Sequence, residues 1–322
     1  LNVIGKGSFN AIDISKETSY KIVFPKIRIS SNSSNIEGSL TLNNMKIMNL
    51  EFSGKTDFDF SEINKIFLSD STVNMNGKGS GTLTFKALLS ELDPFTNADI
   101  DNITMLADLS LEAFSFKRQN DFYSEIDNFN GNIKLSGRDV EIVNSVFTYK
   151  SASVNCTGNL KNFVPYILWD EYIISADVET NIKNIDLNKF FPNDSLSDNS
   201  APESRFPKNI YADVRLKTEK FLYDNLAIDD INGSLHYQPG KIITRGINIS
   251  TLGGKIKADL VITENPELNY DFMLKAGFNR LNIKELFLSL DNFGQSFIKS
   301  NHLEGKLTGE TYLLCKTNYD WS

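Results

Sequence analysis

The stretch Lys255–Ile262, with the sequence KIKADLVI, alternates side chains that avoid water with side chains that prefer it. In an extended chain, successive side chains point to opposite faces. The apolar set of this stretch is Ile256, Ala258, Leu260 and Ile262. The stretches Tyr270–Ala276 and Ile210–Leu216 show the same period of two, which is typical of strands with one buried and one solvated face.

The same period recurs along the whole chain, and Gly, Asn and Asp residues separate the repeats as tight connections require. Further strands are predicted at Ser39–Leu42, Thr82–Lys86, Ala107–Phe116, Gly131–Leu135, Val140–Thr148, Ser175–Ile182 and Lys241–Ser250. Helical periodicity is confined to three short stretches, Leu89–Leu92, Leu187–Phe191 and Lys284–Leu290. The predicted fold class is therefore all-β with a few short helices.

Internal repeats indicate how a chain of 322 residues avoids an oversized core. A glycine cell occurs at Ile36–Leu40, Phe129–Ile133, Ile231–Leu235 and Leu303–Leu307, and we expect each glycine to open a strand after a bend or bulge, where a side chain would clash. Two copies extend further, because Asp127–Leu160 can be laid over Asp229–Ile262 without a gap. We expect one continuous repetitive body over residues 1–322: an elongated, curved, mostly antiparallel sheet of repeated β units.

A second recurring cell ends a strand and begins a short helix, at Ile185–Phe191 and again at Leu281–Phe287. The segment Pro192–Asn209 that follows the first copy is polar, contains proline and lacks periodicity. Strand patterning resumes at Ile210, so residues 192–209 are predicted to be a polar loop or linker inserted in the body.

Charge and composition argue against several classes of function. The net charge is −8, the pI is about 5.0, and no Lys/Arg-rich stretch provides the cations that a nucleic-acid surface needs. Anionic lipid headgroups would not attract such a surface, and no apolar run is long enough to span a membrane. The sequence has no initiator methionine or signal peptide, so we expect a section excised from a longer protein.

No set of catalytic, cofactor-binding or metal-binding residues emerges from the sequence. His236 is predicted to be a solvent-facing strand residue and His302 to lie in a turn. Cys156 and Cys315 lack CxxC spacing, and we expect two buried thiols, although a disulfide between them is permitted. Gly77–Gly81 leads into a strand pattern, whereas phosphate-binding loops precede a helix.

Pairs of carboxylates are also predicted to be structural. They are Asp57 with Asp59, Asp99 with Asp101, and Asp229 with Asp230. Strand neighbours face opposite ways, so such pairs fit solvated faces and turns better than a catalytic cleft.

The run Asn269–Leu314, NYDFMLKAGFNRLNIKELFLSLDNFGQSFIKSNHLEGKLTGETYLL, resembles the C-terminal region of the AsmA family of bacterial envelope proteins, which includes the TamB-like members. The similar elements are an alternating strand ending at Ala276, the Leu281–Ile283 cell with the helix to Leu290, and the glycine cell after a polar spacer. The best match covers residues 210–322, and residues 1–190 fit only through their glycine cells.

The resemblance implies a bridge-like lipid transfer protein with a long β-groove that is apolar inside. Such a protein is periplasmic, is tethered to the inner membrane by an N-terminal helix missing from this chain, and is implicated in phospholipid transport to the outer membrane and in envelope integrity. It implies a non-enzymatic role, with no cofactor and with phospholipid or another acyl-chain lipid as partner. The residues predicted to line the groove are Ile210, Val214, Leu216, Ile256, Leu260, Ile262, Phe272 and Leu274.

The periodicity leaves an alternative architecture open. Two one-sided sheets can bury each other in a sandwich, whereas one long sheet leaves a trough that side chains or a ligand must fill. The alternative function is therefore a structural or adhesive β-sandwich interaction protein with a solid core. A third class, a carbohydrate enzyme, rests only on the many acidic residues.

Overall fold

The computed structural model describes residues 2–11, 16, 20–44, 46, 48–67, 73–88, 96–118, 125–150, 152–168, 172–186, 206–223, 226–267 and 269–317. The strands are β1 (Asn2–Ala11), β2 (Tyr20–Ser30), β3 (Asn35–Asn43), β4 (Asn49–Asp59), β5 (Val73–Leu88), β6 (Thr104–Arg118), β7 (Glu125–Ser136), β8 (Asp139–Tyr149), β9 (Ala152–Lys161), β10 (Ile174–Asp186), β11 (Ile210–Tyr223), β12 (Leu226–Gln238), β13 (Lys241–Thr251), β14 (Gly254–Glu264), β15 (Tyr270–Asn282) and β16 (Lys306–Thr317). The helices are α1 (Phe60–Phe67), α2 (Asn97–Ile100), α3 (Phe163–Leu168) and α4 (Ile283–Ser289). All sixteen strands belong to one sheet in sequence order, so the predicted fold class, an all-β and mostly antiparallel sheet with a few short helices, is confirmed.

The chain divides into two compact units. Unit 1 comprises Leu1–Phe147 and Thr157–Ile174, and unit 2 comprises Thr148–Cys156 and Ser175–Ser322. The single continuous body predicted for residues 1–322 stays a prediction. Of the predicted loop 192–209, residues 192–205 lie outside the described residues, as do the predicted helices at 89–92 and 187–191.

In unit 1 a cluster of apolar side chains forms where two helices pack on the apolar side of the sheet. Met75 of β5 and Phe116 of β6 face each other across the strand pair and are both buried. Phe60 and Ile63 of α1 pack on them, together with Ile167 of α3. Burial of these large side chains holds both helices on the sheet, because each contributes about 1.5–3 kcal/mol when fully removed from water.

The other side of unit 1 is solvated and carries ion pairs between neighbouring strands. Glu37 of β3 lies 2.6 Å from Arg28 Nη2 and 2.9 Å from Lys26 Nζ, both on β2. Hydrogen bonds from Arg28 and then Lys26 lower the pKa of Glu37 to about 2. Opposite charges on facing residues favour this register and keep the polar face in water.

Two-residue turns join the central strands of unit 2. Pro239-Gly240 connects β12 to β13, with Gly240 at φ +70°, and Leu252-Gly253 connects β13 to β14, with φ values of +49° and +67°. Two consecutive residues with positive φ match the twist of a hairpin. Such tight turns fix the register, and the register decides which side chains share a face.

The predicted repeat is confirmed at the level of strand positions. The overlay of Asp127–Leu160 on Asp229–Ile262 places Asp139 opposite Lys241 and Ala152 opposite Gly254. These residues begin β8, β13, β9 and β14, so the aligned strands start at equivalent positions.

The predicted position of the repeated glycines, at the opening of a strand, is wrong for three of the four cells, whereas the clash predicted for a side chain is confirmed at those three. Gly38, Gly131 and Gly233 lie inside strands β3, β7 and β12, and only Gly305 directly precedes a strand. A Cβ atom at the three internal positions would lie within 2.5 Å of a neighbouring strand, whereas nothing lies within 4 Å of one at Gly305. The internal glycines therefore allow close approach of strands, while Gly305 adopts φ +115° in a bend.

Candidate binding surface on the apolar face of β11–β15

The strand register of unit 2 collects the predicted groove residues on one side of the sheet. Leu260 of β14 lies directly opposite Leu274 of β15, and Ile262 lies opposite Phe272. Facing residues of an antiparallel pair point to the same side. Ile256 shares that side because it lies an even number of positions before Leu260 on the same strand.

The same side continues through β13 and β12 to β11. Ile262 faces Ile242, Ile242 faces Tyr237, and Tyr237 faces Ala212. Ala212 points to the same side as every second residue of β11. These include the three predicted residues of that strand, Ile210, Val214 and Leu216. All eight predicted residues therefore lie on one side, here called the apolar face.

Sequence reasoning missed further members of the apolar face. They include Leu235, Tyr237, Ile242, Ile247, Ile249 and Phe278. On β13 the alternation is broken, because a bulge between Thr244 and Ile247 inserts one extra residue relative to β14. Gly246 occupies the bulge with φ +61°, and its N–H donates to Asp259 Oδ1 at 2.7 Å. The Arg245-Gly246 pair was the signal that could have located this shift.

The apolar face is neither a buried core nor an exposed surface. All eight predicted residues are half-buried, whereas Tyr270 and Leu281 at its two ends are fully buried. The sandwich alternative requires two separate sheets that face each other, whereas the described strands form one sheet. Half-buried Ile, Leu and Phe side chains leave apolar area in contact with water, which a ligand with acyl chains would cover favourably.

Each end of the apolar face is marked by packed side chains. At one end, Phe206 contacts the rings of Tyr237 and Tyr270, with centroid distances of 6.1 and 5.4 Å. The Tyr237 hydroxyl donates to the carbonyl oxygen of Pro207 at 2.7 Å, which holds this short segment against the face. At the other end Leu281 is followed by α4, whose first amides donate to the side chain of Asn282.

The opposite side of β11–β15 is predominantly polar. Asp213 Oδ1 lies 2.8 Å from His236 Nδ1, and Arg215 pairs with Asp177 and Glu179 of β10. His236 is thus on the solvated side, as predicted. The two sides of the same strands therefore offer different chemistry, with ion pairs on one and hydrocarbon on the other.

Three carboxylates of the predicted pairs, Asp59, Asp99 and Asp101, have hydrogen-bond partners that give them a structural role. Asp99 accepts from the backbone N–H and the hydroxyl of Thr96 at the start of α2, and these bonds lower its pKa. Asp101 accepts from Arg138 Nε at 2.5 Å, and that hydrogen bond lowers the pKa of Asp101. Asp59 Oδ1 accepts from the Ser61 N–H at 2.8 Å at the start of α1. The pKa shifts of Asp99 and Asp101 are opposite to that of a general acid, which needs a raised pKa.

The two cysteines differ in environment, and no disulfide joins them. Cys156 is buried, as predicted, and burial raises the pKa of its thiol to about 11. The predicted burial of Cys315 is wrong, because this thiol is exposed. Cys315 lies on β16, the last strand in the order, so its neighbour on one side is missing from the described sheet.

Metal and phosphate chemistry finds no support among the residues described. Within the described ranges, no three His, Cys, Asp or Glu side chains converge as metal ligands would. Gly77–Gly81 lies inside β5 and is followed by more strand, as predicted. His302 lies in an exposed turn at Ser300–His302. No helix in the described part of the chain is long and apolar enough to cross a membrane.

Comparisons with protein-family models, with curated proteins and with solved structures found no significant match to this chain.

Proposed function

We propose that this chain is a non-enzymatic lipid-binding module of an AsmA-like protein. One observation carries the proposal: a half-buried apolar face extends across β11–β15, while the other side of the same strands is predominantly polar and carries ion pairs on β11. A phospholipid would lay its acyl chains on the apolar face and keep its headgroup in water. Each CH₂ group that leaves water contributes about 0.8 kcal/mol, so binding needs no chemical step.

The resemblance of Asn269–Leu314 supports the cellular part of the proposal. Under it, the chain is a periplasmic section of a protein that an N-terminal helix tethers to the inner membrane, and the whole protein moves phospholipid towards the outer membrane. Protease treatment of spheroplasts that express an epitope-tagged gene product tests the location. Digestion of the tag only after the outer membrane is opened agrees with the proposal, and protection until the inner membrane is lysed contradicts it.

Lipid binding is tested by native mass spectrometry and lipid extraction of the purified chain. We expect bound phospholipid in the wild type and at least a roughly tenfold lower occupancy in Leu260→Asp, because a carboxylate on the apolar face would have to lose water when a chain covers it. Val261→Asp is the matched control, since it puts the same charge on the same strand but on the opposite face.

Circular dichroism verifies that both variants are folded before lipid is measured. A wild type without lipid, or equal occupancy in Leu260→Asp and Val261→Asp, contradicts the proposal. Phe272→Asp, directly opposite Ile262, should repeat the result from the next strand.

A second candidate function, an interaction protein, is favoured by the edge strand β16. Tyr312, Leu313 and Leu314 are consecutive and all exposed, and among the described strands β16 pairs with β15 alone. An unpaired apolar edge is a template for adding another strand. Light scattering that shows oligomers of the wild type, lost in Leu313→Lys, together with absence of bound lipid, would favour this function over lipid binding.

A further inference from the structure

The connection between β15 and β16 carries four large apolar side chains that face solvent. They are Leu288, Phe293, Phe297 and Ile298, here called the apolar tip. Phe297 is 77% exposed, Leu288 65% and Phe293 55%. Single exposed apolar residues are ordinary, but several large ones within one short connection indicate an interaction site.

The backbone of this connection holds Phe293 in an unfavourable conformation. Residues Asp291, Asn292, Phe293 and Gly294 have φ values of +44°, +53°, +57° and +67°. Only glycine adopts this left-handed region readily, and a bulky aromatic residue there is rare. Such strain persists where the surrounding structure enforces it, and it is a feature of functional segments.

In the rest of the connection, side-chain oxygens accept hydrogen bonds from backbone N–H groups. Gln295 Oε1 accepts from the N–H groups of Phe297 at 3.0 Å and Ile298 at 2.8 Å. Asn292 Oδ1 accepts from the Ser300 N–H at 2.8 Å. The tip is therefore preorganised with its apolar side chains outward, which reduces the entropy lost on binding.

The tip is also locally neutral in an acidic chain. Between Ile283 and His302 the charged residues are Lys284, Glu285, Asp291 and Lys299, which cancel, whereas the whole chain carries −8. Leu and Phe side chains together with lysines are the composition of interfacial membrane anchors. The surface that repels anionic headgroups elsewhere on the chain is absent here.

We propose that the apolar tip inserts into the interfacial region of a phospholipid bilayer. A bilayer accepts projecting side chains without a complementary pocket, whereas a protein partner needs a matched, close-packed surface. α4 follows directly on β15, and Leu281 at the end of the apolar face lies two residues before its first residue, Ile283. A bilayer at the tip would thus meet the end of the face that is proposed to bind lipid, and this role rests on the proposed function.

The test is flotation of the purified chain with phosphatidylcholine vesicles. We expect the wild type to float and the double variant Phe293→Ser/Phe297→Ser to bind at least about tenfold more weakly. In 0.5 M salt the electrostatic screening length is on the order of a few ångströms. Vesicle binding in 0.5 M salt should nevertheless match that at low salt, because the contact is apolar. The matched control is Leu106→Ser/Val146→Ser, which removes two similarly exposed apolar side chains from β6 and β8 and should float like the wild type.

A direct readout uses Phe297→Trp, whose emission should shift to the blue when vesicles are added, relative to the wild type with its two native tryptophans. Equal flotation of the tip variant and the wild type overturns the inference. So does equal loss of flotation in the control, or a dimer in light scattering that only the tip variant abolishes.

The outcome is separable from that of the proposed function. A chain that floats through its tip but carries no extracted lipid keeps this inference and contradicts the lipid-binding proposal. The opposite outcome contradicts this inference alone: the wild type carries lipid, Leu260→Asp loses it, and the wild type does not float with vesicles.

Discussion

Replacing Gly38 by alanine probes the closest approach of two strands in unit 1. Gly38 of β3 lies directly opposite Gly54 of β4. A Cβ atom at Gly38 would lie 2.3 Å from the carbonyl oxygen of Ser53 and 2.6 Å from Gly54 Cα. Both contacts are with backbone, which cannot rotate away as a side chain can, so the two strands would have to separate.

The expected cost of Gly38→Ala is about 2–3 kcal/mol, the upper part of the range for overpacking, because the strand ladder itself must deform. Gly277→Ala is the matched control: it also lies inside a strand, β15, but nothing lies within 4 Å of an added Cβ. Restricting the unfolded chain should make this control neutral or about 0.4–1 kcal/mol more stable. Urea unfolding followed by circular dichroism measures both changes.

A second substitution tests whether one gap is responsible. A Cβ at Gly54 would lie 2.3 Å from the Glu37 carbonyl oxygen, so it enters the same gap from the opposite strand. Strands already separated by one added Cβ accommodate the other, so the free energy of unfolding should fall less in Gly38→Ala/Gly54→Ala than the sum of the two single effects. Equal stability of Gly38→Ala and Gly277→Ala, or strict additivity of the double variant, would refute the reasoning.

Three further predictions concern the helices and the thiols. Hydrogen bonds from the serines of residues 31–34 lower the pKa of Glu62 from 4.5 to about 2. The contribution of Glu62 to stability is therefore complete above pH 4.5 and is lost as the pH falls towards 2. The urea midpoints at pH 3 and pH 7 should differ less in Glu62→Gln than in the wild type. At pH 8 a thiol reagent should modify Cys315 rapidly and Cys156 only after denaturation, and a fast reaction that survives Cys315→Ser would contradict this. Asn282→Ala removes the side chain that accepts from the first amides of α4 and should cost about 1 kcal/mol, seen as faster hydrogen exchange in α4 but unchanged exchange in β8.

Most of the secondary structure could be predicted because its signals are local. The alternation within Lys255–Ile262 can be recognised from neighbouring residues alone. The turn at Pro239-Gly240 can be predicted from the φ values that proline and glycine favour. The helix predicted at Lys284–Leu290 forms as α4 for the same reason, since Asn282 caps it within the same stretch. Local signals of this kind do not depend on which strand becomes a neighbour.

Features that depend on neighbouring strands were predicted less well. The repeated glycine cell is one local pattern, yet Gly38 faces a second glycine across β4 while Gly305 faces open space. Cys315 follows the apolar run Tyr312–Leu314, which resembles a buried strand, but it lies on the last strand of the order. Phe206 belongs to a segment predicted as polar loop, and it contacts two tyrosines of the apolar face.

The sequence by itself determined that β11, β14 and β15 each have an apolar face, and it identified eight of the residues that lie on the apolar face of β11–β15. Period-two alternation sets the faces of each strand, and tight turns transmit them from strand to strand. Only the tertiary structure decided that this face is half-buried and that Ile247 joins it through the bulge at Gly246. Only the tertiary structure turned Phe293 and Phe297 outward, because exposure depends on what packs against a side chain and on dihedral angles that residue type alone does not fix.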